Sequence, residues 1–219
     1  MTSIVIIGGH GKVALHLSAL LTTEGHRVTS IIRNPNHAAD VAATGATPSV
    51  LDVENSTTAA IAAALRGHDA VVWSAGAGGG SPERTYAVDR DAAIRSMDAT
   101  AGEAGVGRYV MVSYLGAEPG HGIPVENSFF AYAEAEAAAD EYLRSTQLAW
   151  TMLGPGALTE QPGTGQIEVD PGRDGSGHTS RSNTASVAAA VLDLPETACR
   201  TIEFRDGTLP IAAALELRT

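Results

Sequence analysis

Gly8, Gly11 and Ala14 stand three residues apart where the apolar run Ile4-Val5-Ile6-Ile7 gives way to Lys12-Val13-Ala14-Leu15. Small residues at this spacing, between a strand and a helix, have a physical use. The first permits a sharp turn, the second lets backbone approach a pyrophosphate, and the third lets the helix pack close to the strand. The helix that follows offers unpaired N–H groups and the positive end of its dipole to phosphate oxygens. A dinucleotide held by Gly8, His10, Gly11, Lys12 and Val13 is the expectation, against a purely structural βα turn.

The end of the second strand selects among dinucleotides. An acid there would hold a ribose 2′-hydroxyl, whereas the forked donors of a guanidinium suit a 2′-phosphate. Here Arg33 stands 22 residues after Gly11 and is followed by Asn34, so NADP(H) is expected over NAD(H) unless Arg33 is simply solvated. Asp52, beside Val53 and just past the third strand, is placed to accept from an adenine amino group or to cap a turn. Ser74, Ala75 and Gly76 open the run Ser74–Gly80 after the fourth strand, at the sheet edge where ligands collect. That run is either backbone brought close to the cofactor or a mobile loop.

These residues need a frame, and alternating strand and helix patterns provide one. Strands are predicted over Ser3–Ile7, Val28–Ile32, Thr47–Leu51, Ala70–Trp73, Tyr109–Ser113 and Ala149–Leu153, several as continuous β-branched runs of the kind that helices cover on both faces. Helices are predicted over Lys12–Thr23 (ending at Gly25), Thr57–Leu65 (capped by Ser56), Asp89–Ala104 and Ser128–Ser145. The alternation is the βαβ signature of a Rossmann-type doubly wound parallel sheet, an α/β fold. From Gly154 to Gly177 glycine and proline make a stretch that is mostly loop, with one strand at Gln166–Val169. A last helix at Thr184–Leu192, capped by Ser182 or Asn183, precedes a strand at Thr201–Arg205. The expected organisation is one NAD(P)-binding domain over 1–219, with a dinucleotide core in 1–153 and a substrate-side segment in 154–219.

Composition narrows the partners. Fourteen basic against 25 acidic residues give a formal charge of −11, which repels nucleic-acid phosphates and anionic lipid. No run of eighteen apolar residues is present, and the N-terminus reads as a strand without the basic start of a secretory signal. A cytoplasmic protein with a small-molecule substrate, and no nucleic acid or membrane partner, is the expectation. Cys199 has no thiol partner, and the seven histidines show no metal spacing, so no metal is expected.

Taken together, the pieces resemble the atypical short-chain dehydrogenase/reductase superfamily, in its NmrA-like and biliverdin/flavin-reductase-like branch. The resemblance rests on the glycine turn, Arg33-Asn34-Pro35, Leu51-Asp52-Val53, Val110-Met111-Val112-Ser113 with Leu115-Gly116-Ala117, Tyr132 with Ala139-Asp140-Glu141-Tyr142-Leu143, and the run Trp150–Thr159. It implies that Ser113 orients substrate, that Tyr132 takes the place of the tyrosine in the family's Tyr-x-x-x-Lys element, and that Pro155, Gly156 and Leu158 pack along the nicotinamide. Without that carry-over, Ser113 reads as a strand-end turn residue and Tyr132 as a packed helix aromatic.

Three positions depart from the family pattern: Glu136 stands four residues past Tyr132 where lysine is usual, His10 replaces a small hydroxyl residue, and Gly154 replaces a common arginine. A carboxylate beside Tyr132 opposes the phenol's ionisation, the reverse of what lysine does there. Tyr114 and His121 are alternative proton donors. Two functions follow. One is an NADPH-dependent reductase acting on an easily reduced acceptor, such as a flavin, quinone, imine or activated carbonyl. The other is a non-catalytic NADP(H)-sensing regulator of the NmrA-like type, which the missing lysine supports. A nucleotide-sugar epimerase is disfavoured by Arg33 and the short C-terminal part. The substrate is expected between Ser113, the Gly116–Asn127 loop and the Gly156–Gly177 segment.

Overall fold

The computed structural model describes residues 1–79, 81–172 and 177–216; Gly80, which closes the run Ser74–Gly80, and residues 173–176 of the glycine-rich stretch lie outside the described residues. Strands β1 (Ser3–Ile7), β2 (Arg27–Ile32), β3 (Thr47–Val50), β4 (Ala70–Trp73), β5 (Arg108–Val112) and β6 (Ala149–Pro155) are parallel. Three of the C-terminal strands join the same sheet. β10 (Arg200–Asp206) runs parallel to β6, while β8 (Gln166–Val169) and β11 (Leu209–Pro210) add an antiparallel margin. The order is β11-β8-β10-β6-β5-β4-β1-β2-β3, a Rossmann-type doubly wound sheet. A separate two-stranded parallel sheet pairs β7 (Ala157–Thr159) with β9 (His178–Ser180).

The central strands are largely apolar because both faces are covered. Ile4 and Ile6 of β1 meet Val13, Leu17 and Leu21 of α1 (Lys12–Thr23) and Ala185 and Ala188 of α7 (Arg181–Leu192). Val5 and Ile7 turn the other way, against Ile61 and Leu65 of α3 (Thr58–Leu65), Met97 of α5 (Ala93–Ala101) and Leu143 of α6 (Phe130–Ser145). Burying each such side chain contributes roughly 1.5–3 kcal/mol, which makes β1 the anchor of both layers.

Helix ends follow local chemistry. α1 stops at Gly25, whose φ of +88° completes a Schellman turn in which His26 N–H bonds Leu21 O and Gly25 N–H bonds Thr22 O. Two caps differ from expectation. Thr57, not Ser56, caps α3 by accepting from Ala60 N, while Ser56 Oγ donates to Asp52 O at 2.6 Å. Ser180, not Ser182 or Asn183, caps α7 by accepting from Asn183 N, so the helix starts at Arg181. The helix expected from Asp89 begins earlier, as α4 (Pro82–Thr85), passes through a π-helical stretch over Tyr86–Ala92 and ends in α5. Ser81 accepts from Arg84 N with Pro82 in the first turn, a start signal the apolar spacing does not carry. Among the described residues no helix is long and apolar enough to cross a membrane.

Candidate functional site

The chain runs outward from β1 to β3 and then returns to β4 on the other side of β1. Such a reversal opens a crevice at the C-terminal ends of the two flanking strands. The turn after β1 is built for close approach. Gly8 has φ +85°, and a Cβ there would fall 2.5 Å from the Ala75 Cα, so the backbones after β1 and β4 are nearly in contact. Gly11 N–H bonds Gly8 O at 2.8 Å, and Gly11 enters α1 without a side-chain cap. The first N–H groups of α1 therefore stay open to the crevice that Gly11, Lys12 and Val13 line. Ala14 is fully buried against the sheet. This is a cradle that fits the pyrophosphate of a nicotinamide dinucleotide.

One arm of the crevice has a volume of about 480 Å³ and collects Gly8, His10, Gly11, Arg33, Asp52, Val53, Ser74, Ala75 and Gly76 from the expected set. Its walls carry exposed charge. Arg33 Nη1 lies 3.0 Å from Glu54 Oε2, and Arg84 Nε lies 3.3 Å from the same oxygen. His10 stacks on His37 with ring centroids 3.6 Å apart, and His10 Nε2 meets Asp40 Oδ2 at 2.9 Å. Asp52 spends both carboxylate oxygens on its own turn, accepting from Glu54 N and Asn55 Nδ2.

The second arm, about 690 Å³, shares Gly11, Ser74, Ala75, Gly76 and Gly78 with the first, so the two form one groove across the glycine turn. It collects Lys12, Val13, Ser113, Tyr132 and Leu158 of the expected residues. Lys12 Nζ and Arg181 Nη1 hold Glu160 Oε1 between them at 2.6 and 2.9 Å on its rim. Phe129 and Tyr132, with ring centroids 5.1 Å apart, make an aromatic wall that Tyr114 backs at 5.4 Å from Tyr132. Tyr114, Pro155 and Gly156 do not line either arm. Gly156 N–H is taken by Phe204 O and Thr179 Oγ1, which ties this segment to the sheet. His121 is held by Glu134 Oε1 at 3.0 Å and lines neither arm.

The floor of the second arm is acidic and buried: Asp89 and Glu136 line it, and Asp140 lies behind, bonded to Ser113. Asp89, Glu136 and Asp140 are exposed by 1%, 4% and 2%. Asp89 is carried in by the π-helical stretch and accepts from Ala77 N at 2.9 Å. Burial pushes it up to about 6, against the lowering effect of Ala77 N–H and Arg84. Ser113 Oγ donates to Asp140 Oδ2 at 2.9 Å, and burial pushes Asp140 up to about 7 against that bond and Arg144. Glu136 is driven well above the carboxylate range by burial first and then by Asp140 and Asp89, against the Ser113 and Tyr132 hydroxyls. Burial, then Glu136 and Asp89, also push the Tyr132 phenol upward. Position 136 is therefore biased toward the protonated carboxylic acid where the sequence reading places a carboxylate. The reason is burial, which residue type does not disclose.

Sequence reasoning missed Glu54, His37, Arg84, Asp89, Phe129, Asp140 and Arg181. Only Asp89 had a usable signal: the Ser81-Pro82 start puts it about two turns inside a helix, on the side that lines the crevice. Among the described residues no group of three or more His, Cys, Asp or Glu side chains is placed to hold a metal ion.

Comparison with known proteins agrees with this geometry. The pattern of the NAD(P)H-binding family spans residues 8–195. The uncharacterized sugar epimerase YhfK of Bacillus subtilis (strain 168) is 32% identical over 215 residues, covering 97% of this chain and 98% of its own. A Bacillus halodurans protein named for the NAD-dependent epimerases/dehydratases superposes with a TM-score of 0.91 at 28% identity, over 99% of this chain and 100% of the other. The oxidoreductase ylbE of Lactococcus lactis superposes with a TM-score of 0.86 at 27% identity, over 98% and 95%.

Proposed function

The chain belongs to the NAD(P)H-binding family, of short-chain dehydrogenase/reductase type, and from that premise we propose that it is an NADPH-dependent reductase of a small, easily reduced acceptor such as a flavin, quinone, imine or activated carbonyl. The observation that carries this reading is the single groove that runs from Arg33, past the glycine cradle, to an aromatic-walled end floored by buried acids. In it, residues 1–153 hold the dinucleotide and the later segment closes the substrate side through Leu158 and Arg181.

Each part has a role. Arg33 closes β2 where NAD-specific proteins carry an acid, so its guanidinium takes the 2′-phosphate. The open N–H groups at Lys12 and Val13 and the Lys12 ammonium take the pyrophosphate. When bound, the reduced nicotinamide supplies a hydride. Phe129 and Tyr132 offer a flat acceptor a stacking wall and exclude water, and Ser113 orients it by a hydrogen bond. The relatives' names include epimerases. An epimerase must first remove a hydroxyl proton, which calls for a base. Burial and the neighbouring acids push both Tyr132 and Glu136 toward their protonated forms, and this supports the reductive direction.

Fluorescence titration of NADPH and NADH, followed by NADPH consumption with flavin mononucleotide and a quinone, tests the proposal. Tighter NADPH binding with turnover of at least one acceptor is expected. A preference for NADH would overturn the cofactor assignment. Tight NADPH binding with no acceptor consumed would favour the second reading, an NADP(H) sensor, which the glutamate at the family's lysine position supports.

A further inference from the structure

Glu136 sits one helical turn past Tyr132 on the same face of α6 and lines the second arm of the groove. Its side chain is almost completely buried, and Oε2 has no hydrogen-bond partner among the described residues. A buried polar atom with nothing to bond to costs about 1–3 kcal/mol, so a group kept in that state at the wall of a cavity is suited to bonding a ligand there. The groups that face it are Asp89 from the π-helical stretch, Ser113 from the end of β5, and Tyr132 and Asp140 from its own helix. The nearby cations are engaged elsewhere, Arg84 against Asp89 and Arg144 against Asp140. An ionised carboxylate in this setting would be buried, unpaired and ringed by acids, whereas a neutral carboxylic acid is at ease there and has a proton to give.

We propose that Glu136 is the catalytic acid of the reduction, donating its carboxyl proton to the acceptor atom that gains the electron pair, so that the tyrosine is dispensable as the donor. This rests on the reductase reading above. The balance is simple. The acceptor gains two electrons and one hydrogen as hydride from NADPH, which leaves as NADP⁺. The carboxyl O–H bond breaks as a new O–H or N–H bond forms on the acceptor. The carboxylate left behind regains its proton from solvent through the groove once product departs. Tyr132, whose phenol is held from ionising, then serves as wall and hydrogen-bond donor.

Glu136→Gln keeps the shape and the neutral charge of the protonated acid and removes only the transferable proton. Three readouts test the proposal. The first needs no cofactor: at pH 8, above the values to which burial pushes Asp89 and Asp140, the infrared C=O stretch of a protonated carboxylic acid should remain in wild type and be missing in Glu136→Gln. The second is NADPH affinity by fluorescence, which the variant should keep within threefold and which also reports folding. The third is NADPH consumption with phenanthrenequinone and flavin mononucleotide. Glu136→Gln should lose on the order of 10²–10⁴-fold, the contribution of a positioned acid, and Tyr132→Phe less than tenfold. Absence of the band, or turnover by Glu136→Gln within tenfold of wild type, would overturn the proposal while leaving the reductase reading intact. A wild type that binds NADPH and reduces neither acceptor would overturn both.

Discussion

The two arms of the groove meet at five shared residues yet are built from opposite materials. The arm at Arg33 is walled by exposed charge held in open ion pairs, with Arg33 55% exposed and Glu54, which is shared with Arg84, 20% exposed. The arm at Ser113 is floored by two nearly inaccessible carboxyl groups, with a third behind Ser113, and walled by aromatic rings. Charge that meets water keeps its ordinary ionisation and can be exchanged cheaply for a ligand's charge. Charge that is buried gives up its ionisation instead, and the residue becomes a proton donor. One arm is thus suited to holding an anionic handle, and the other to moving a proton. The junction between them is where the comparison is most easily broken.

The largest effect should come from that junction. A Cβ at Gly11 would stand 3.1 Å from Gly8 O and 3.4 Å from Ser74 O, in the space between the two backbones. Gly11 has φ −61°, ordinary for any residue, so Gly11→Val should keep the fold by circular dichroism. It should abolish binding of NADPH and NADH alike in a fluorescence titration, because the branched side chain fills the pyrophosphate cradle. A folded variant with unchanged affinity would place the dinucleotide elsewhere.

Next in size is the pH response of the buried arm. Asp89 titrates at about 6 and Asp140 at about 7 in the folded chain, whereas the unfolded chain releases both protons near 4. The native state therefore binds more protons than the unfolded state between these values, and stability falls as pH rises through them. The contribution is greatest below pH 4 and is lost by about pH 7, at about 1.4 kcal/mol for each pH unit between the two midpoints of a group. Asp140→Asn keeps an acceptor for Ser113 and removes one such proton. Melting temperatures at pH 5 and pH 8 should fall more for wild type than for Asp140→Asn. Parallel curves would mean that Asp140 ionises normally and that the acidic floor is not what it appears from its burial.

The same contrast explains what was legible in the sequence. The frame was: Ser3–Ile7, Lys12–Thr23, Ala70–Trp73 and Gln166–Val169 fall where local pattern puts them, because each is a run whose burial is decided by its own residues. The exposed arm was partly legible, since Arg33 and the glycine turn act through residue type and position. Glu54 and His37 were not, because their roles depend on loops folding back across β2 and α2 (Ala38–Ala43). The buried arm was least legible. Asp89 reaches it through a π-helical turn, and Glu136 changes chemical character first because the fold buries it and then because Asp140 and Asp89, 4 and 47 residues away in sequence, lie beside it. Apolar periodicity records which residues are buried in the core and carries no information about a polar residue buried beside it.

Arg33→Ala sharpens the comparison at the exposed end. Losing a charge-assisted bond to the 2′-phosphate should weaken NADPH by on the order of 1.5–3 kcal/mol and leave NADH nearly unchanged. Equal losses for both cofactors, measured by the same titration, would remove Arg33 from the site.

The smallest expected effect tests how the exposed arm is balanced. Glu54 Oε2 lies against both Arg33 and Arg84, so an incoming 2′-phosphate must share or displace a carboxylate already paired with its guanidinium. Such a pair at a solvent-facing site is worth about 0.2–1 kcal/mol, less than the phosphate gains, which is why it can yield. Glu54→Gln removes the competing charge and some like-charge repulsion. NADPH should then bind more tightly by about that amount, a factor of about two to five, with NADH unaffected. The gain should shrink in 0.5 M salt, because screening weakens both the ion pair and the repulsion it replaces. A weaker NADPH affinity in Glu54→Gln would mean that the carboxylate holds Arg33 and Arg84 in the geometry the phosphate needs. The exposed arm would then be preorganised by its ion pairs, as the buried arm is by its hydrogen bonds, and the two ends would differ less than their burial implies.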